Sequence, residues 1–183
     1  MCTAWCTPVA DRRYGGLAAT RRLVLTALMG ALLVAGKEVM SGLPNIEPVS
    51  LLVLLYTLEL PRETPGAIAV YLLLQGVLYG FGIWWVMYLY VWFLLAALVW
   101  LCRRRQSVWF WAALCGAFGL CFGALCAPVY LVGYGWAFAV TWWTAGLGYD
   151  LLHGAGNFVL VLLLYRPLRR ALQRAKCQLG YTV

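Results

Sequence analysis

The chain has 183 residues, of which 64 % are hydrophobic and 11 % charged, with a mean hydropathy of +0.83. A soluble domain of this size needs many more polar side chains to cover its surface, so the composition excludes that class and points to a polytopic membrane protein. The net charge of +8 does not indicate nucleic-acid binding, because thirteen of the fourteen basic residues cluster at the ends of apolar stretches.

The opening "MCTAWCTPVADRRYGG" carries charges but no apolar core before a cleavage site. No signal peptide is expected, and the first apolar stretch is expected to be retained as a helix. Span 1 is predicted at about 22–41, followed by a polar turn "SGLPNIEP" at 41–48. Span 2, "VSLLVLLYTLEL" at 49–60, is fenced by Pro48 and Pro61. At about 1.5 Å per residue it reaches only about 18 Å, short of the ~30 Å hydrocarbon core. It must tilt, thin the bilayer or be shielded by its neighbours. Spans 3, 4 and 5 are expected at about 65–82, 86–102 and 108–128. The last apolar stretch, 135–165, is too long for one crossing, and "TAGLGY" at 144–149 carries two helix-weakening glycines. We therefore expect a short outer element at 135–145 and span 6 at 149–165, which puts Asp150 at the start of a helix.

The expected fold is an all-α integral membrane protein: a six-transmembrane-helix bundle with a short extra helical element at the outer face before the last span. Its parts are a tail at 1–20, a membrane domain at 21–166 and a basic tail at 167–183. With six spans, the thirteen basic residues fall on one side, and the excess of Arg and Lys assigns both termini to the cytoplasm. Lys37, Glu38, Glu47 and Asp150 then belong to the outer side.

Asp150, His153 and Asn157 follow at i, i+3 and i+7, so they share one face of the last helix. Polar groups inside a membrane segment face a cavity or the bundle interior and often mark a substrate path. Asp150 could equally cap its own helix, and His153 and Asn157 could join helices by hydrogen bonds. Lys37 and Glu38 either reach a cavity or snorkel to the interface. Asn45 and Glu47 sit on a proline-stiffened turn that suits a binding lid, although Asn and Pro are also ordinary turn residues. Trp84, Trp85 and Tyr88 belong to a dense aromatic zone that serves as an interfacial belt or as ring-stacking walls.

Ala27, Ala31 and Ala35 recur every four residues on span 1 and form a flat strip for close helix approach, within the chain or to a partner. Cys115, Cys121 and Cys126 lack metal-ligand spacing, and no cofactor is expected. No serine stands in a Gly-x-Ser-x-Gly context, and neither an H-E-x-x-H nor a P-loop occurs. An enzyme is therefore not expected.

With these residues in view, the chain resembles the substrate-binding S components of energy-coupling factor (ECF) transporters, prokaryotic ABC-type importers of vitamins and related nutrients. The resemblance spans about 22–170 and rests on "ALMGA" (27–31), "LPNIEPVSLL" (43–52), "LLQGVLYGFGIWWVMYLYVW" (73–92) and "GLGYDLLHGAGNFVLVLLLYRPLRR" (146–170). It implies a ligand site near the outer face, lined by Asp150, His153 and Asn157, with Glu38 and Asn45 approaching from span 1 and its loop. Trp84, Trp85 and Tyr88 would form the walls. It further implies that the alanine strip docks on an energy-coupling transmembrane subunit served by two ATPases, in the plasma membrane of a prokaryote. The rival reading is a stand-alone proton-coupled secondary transporter of a small organic molecule.

Overall fold

A computed structural model describes residues 15–178, with side chains from residue 19 onward. The expected tail at 1–20 lies mostly outside the described residues, as do the last five positions of the expected tail at 167–183. Seven helices follow in order among the described residues, with no strand: α1 (Gly15–Val39), α2 (Val49–Glu59), α3 (Thr64–Tyr79), α4 (Ile83–Leu101), α5 (Val108–Leu120), α6 (Phe122–Tyr134) and α7 (Trp136–Gln178). Three helical stretches, Ile83–Leu101, Val108–Tyr134 and Trp136–Gln178, are long and apolar enough to cross a bilayer, which fits a membrane helical protein.

The short α2 occupies the centre. Nine of its eleven residues are buried, and it packs on α1, α3, α4 and α7. A helix surrounded by other helices need not match the hydrocarbon thickness itself, so shielding by neighbours answers its shortness. Around it the core is built from Leu33, Leu54, Ile68, Tyr71, Trp92, Leu95 and Trp111, all essentially inaccessible. Tyr71 and Trp92 meet edge-to-face at 6.0 Å, the arrangement favoured by ring quadrupoles.

Two polar links fix the relative direction of α1 and α3. Arg22 pairs with Glu63 at one end, and Lys37 reaches Gln75 at the other, so the two helices run parallel. Along their seam α1 presents Gly30, where an added Cβ would lie 2.5 Å from Val70 Cγ1. The three alanines turn away from that seam: Ala27, Ala31 and Ala35 are all exposed.

The last apolar stretch departs from expectation. No separate element forms at 135–145, and α7 runs unbroken through Gly146 and Gly148 for 43 residues. The break falls earlier, at Gly135, whose φ of +83° suits glycine alone among common residues. Two glycines weaken a helix in water by about 1 kcal/mol each, but in an apolar medium each backbone N–H has no competing water partner. At about 1.5 Å per residue α7 spans about 64 Å, roughly twice a hydrocarbon core. Its final turns, from Arg166 onward, are strongly basic.

The interruption within the fifth stretch was also missed. Cys121 separates α5 from α6, and Pro128 cannot donate to the carbonyl one turn back, at Ala124. Both halves pack on α7. The backbones approach closely where Gly119 meets Gly154: a Cβ on Gly119 would lie 2.8 Å from the Gly154 Cα.

Candidate functional site

The C-terminal end of α1, the connection at 40–48 and the facing parts of α3, α4, α6 and α7 enclose a cavity of about 260 Å³. Lys37, Glu38, Asn45 and Glu47 contribute its polar groups, and Tyr79, Tyr88, Phe122 and His153 contribute rings. Asn45 adopts a φ of +56°, a left-handed conformation that asparagine tolerates better than most residues. That turn brings the loop over the cavity.

Lys37 and Glu38 share one network rather than snorkelling separately. Lys37 Nζ donates to Gln75 Oε1 at 2.6 Å and sits 4.7 Å from the centre of the Tyr79 ring. Gln75 Nε2 donates to Glu38 Oε1 at 3.3 Å, and the Tyr79 hydroxyl donates to Glu38 Oε2 at 2.5 Å. Gln75 is fully buried and joins the two charges. Sequence reading overlooked it, although a single amide within the apolar run "YLLLQGVLY" was the available signal. Glu47, on the connection between α1 and α2, has its carboxyl pushed up to about 7. Burial raises it, the nearby Lys37 pulls it down, and Glu38 adds a smaller upward push.

His153 lies at the buried side of the cavity. It is 3 % exposed, its ring centre stands 4.8 Å from that of Phe122, and its Nε2 has no hydrogen-bond partner. An unpaired buried imidazole nitrogen costs free energy, so its retention next to a cavity needs a reason. Phe122 continues inward to Trp92 at 5.7 Å, which places His153 at the end of a packed aromatic row.

The other members of the expected stripe do not line this cavity. Asp150 is the fifteenth residue of α7 and does not begin it, so it cannot cap its own helix. It caps a neighbour instead: the Gly123 N–H, in the first turn of α6, donates to Asp150 Oδ1 at 2.9 Å. The missing side chain at Gly123 makes room, since a Cβ there would lie 2.5 Å from Asp150 Oδ2. A carboxylate at a helix N-terminus satisfies an orphan donor and faces the positive end of the helix dipole. Asp150 Oδ2 is buried without a partner. Asn157 donates from Nδ2 to the Cys115 carbonyl at 3.3 Å and ties α7 to α5. Both residues join helices, and His153 alone of the three borders the cavity.

The tryptophans stand one layer back. Trp84 meets Tyr88 edge-to-face at 5.4 Å and so buttresses a wall residue. Trp85 Nε1 donates to the Leu72 carbonyl at 2.8 Å and links α4 to α3. Glu38, Asn45, Tyr88 and His153 are therefore brought together, while Asp150, Asn157, Trp84 and Trp85 support the surroundings.

Among the described residues no group of three or more His, Cys, Asp or Glu side chains is placed to hold a metal ion. Cys102, Cys115, Cys121 and Cys126 are free thiols. Compared with models of known protein families, with curated proteins and with solved structures, the chain matches none.

Proposed function

We propose that this chain is a membrane-embedded substrate-binding subunit of an ECF-type importer, which captures a small, ring-containing nutrient in the cavity over His153. The observation that carries the reading is the buried, unpaired Nε2 of His153 beside that cavity. A ligand hydrogen bond would complete it, and a wrong ligand would leave it unpaired, which is how a buried polar group discriminates. The volume of about 260 Å³ suits a compact molecule. Tyr79, Tyr88 and Phe122 offer faces and edges for a flat ring.

The helix directions support a six-pass arrangement, in which α5 and α6 form one crossing and α2 is a short central one. The basic ends at Arg103–Arg105 and Arg166–Lys176 then mark the cytoplasmic side, with both termini there, in the plasma membrane of a prokaryote. The cavity faces outward. The exposed Ala27, Ala31 and Ala35 form the docking face for an energy-coupling transmembrane subunit, which works with two ATPase subunits. This chain binds and delivers; the ATPases hydrolyse ATP.

Native mass spectrometry of the protein purified gently from its own host's membranes tests the reading. The expected result is a retained small molecule that His153→Ala loses, together with copurifying coupling subunits that Ala31→Leu displaces without affecting the ligand. A chain that is always alone and empty, and that supports uncoupler-sensitive uptake without ATPases, overturns it in favour of a proton-coupled secondary transporter.

A further inference from the structure

The opposite end of the bundle holds a second, larger cleft of about 510 Å³, between the turn before α5 and the basic portion of α7. Gln106, Ser107 and Trp109 form one wall, and Arg166, Arg169 and Arg170 the other. No carboxylate lines it.

The three arginines are not equivalent. Arg169 donates from Nε to Glu59 at 2.6 Å and from a terminal nitrogen to the Tyr165 hydroxyl at 2.9 Å, so its charge is already answered. Arg166 and Arg170 are exposed and have no ion pair among the described residues. The cleft therefore carries two uncompensated guanidinium groups. Facing them is the start of α5, where Ser107 Oγ accepts from the Phe110 N–H. The N–H groups of Val108 and Trp109 belong to the first turn, which has no intrahelical acceptors. Guanidinium forks, first-turn N–H groups and the positive end of a helix dipole all select a tetrahedral oxyanion.

The surroundings indicate where that anion comes from. Trp109 is 68 % exposed at the mouth of the cleft, and Leu163, about one turn before Arg166 and two before Arg170, is 67 % exposed. The phosphate position is thus continuous with apolar helix surface along α5 and α7, and Trp109 stands at the boundary where indole rings anchor. We propose that this cleft binds the phosphodiester headgroup of an anionic phospholipid, with Arg166 and Arg170 on the phosphate and the acyl chains running along α5 and α7. The site is independent of the cavity over His153 and does not rest on the nutrient reading.

The test is native mass spectrometry of the full chain in detergent with equal amounts of phosphatidylglycerol and phosphatidylcholine. Wild-type protein should retain phosphatidylglycerol in preference, and the double variant Arg166→Gln/Arg170→Gln should lower that preference about tenfold. Arg21→Gln/Arg104→Gln removes the same charge at exposed positions that do not line the cleft. It should retain the preference. Equal loss in both variants would show diffuse attraction and overturn the site, as would equal retention of the two lipids by the wild type. Displacement of phosphatidylglycerol by excess inorganic phosphate, at an ionic strength matched with chloride, would overturn the lipid as the source and leave a free-phosphate site.

Discussion

The two ends of the bundle treat buried charge in opposite ways. At the Glu59 end the acids are paired with cations: Glu59 accepts from Arg169 and Gln173, and Lys176 donates to its backbone carbonyl at 2.7 Å. Glu63 accepts from Arg22 at 3.1 Å. The Glu59 contacts fasten the last turns of α7 to the end of α2, and the Glu63 contact ties α1 to the start of α3. At the cavity end Lys37, Gln75, Glu38 and Tyr79 also satisfy one another, yet His153 Nε2 and Asp150 Oδ2 remain unpaired. A buried acid paired with a cation from another helix marks a structural staple. Of these two, His153 alone borders the cavity, and an unpaired group there withholds stability from the empty protein that a ligand can restore.

The largest effect should come from breaking the staple. Glu59→Gln leaves Arg169 without its counter-charge and should destabilise the protein by about 2–3 kcal/mol. That is below the value for a fully buried pair because Arg169 is 27 % exposed. Thermal melting in detergent reads it, and an unshifted transition would remove the staple from the comparison. Gly119→Ala should cost about 1–3 kcal/mol, because its new methyl group meets Gly154 backbone atoms that no rotamer change can move aside. It should lower the melting temperature without changing ligand selectivity. His153→Phe sharpens the contrast at the other end. Replacing an unpaired polar ring by an apolar one of similar shape is close to neutral for folding. The melting transition should hold while ligand retention falls about tenfold, the worth of one good hydrogen bond. A large loss of stability with normal retention would make His153 a packing residue.

How much of this was legible depended on whether the signal was local. The apolar stretches, the shortness of 49–60 and the break at the 41–48 turn follow from hydropathy and proline placement; α2, α3 and α4 appear within a few residues of expectation, whereas α1 begins earlier, at Gly15, and the fifth and last stretches are divided differently. The division of the last stretch was misread because glycine carries different weight in different solvents. Gly146 and Gly148 pass within α7, while Gly135 stops the chain only because it takes a positive φ, which composition does not announce. The stripe at 150, 153 and 157 does share a helical face, but that face meets three different neighbours. Asp150 meets the α6 terminus, His153 the cavity and Asn157 the Cys115 carbonyl. Periodicity gives the side of the helix, and only tertiary packing decides what stands opposite. Gln75 escaped notice for the converse reason: it has no polar neighbour in sequence, and its partners lie 37 and 38 positions away.

The smallest effect tests whether the cavity end holds back stability through Glu47 as well. Its carboxyl, raised from about 4.5 to about 7, binds a proton more tightly in the folded chain than in the unfolded one. A folded-state pKa above the unfolded value gives a contribution that is full below the unfolded pKa and is lost as pH rises through the folded pKa. Wild-type stability should therefore decline from about pH 4.5 to about pH 7 relative to Glu47→Gln, which has no proton to lose at this position. Melting the two proteins in parallel across that range isolates the contribution, because every other titrating group is common to both. A constant difference would mean that water or Lys37 already stabilises the ionised carboxyl. A difference that also disappears when ligand is bound would place Glu47 in contact with the ligand, alongside His153.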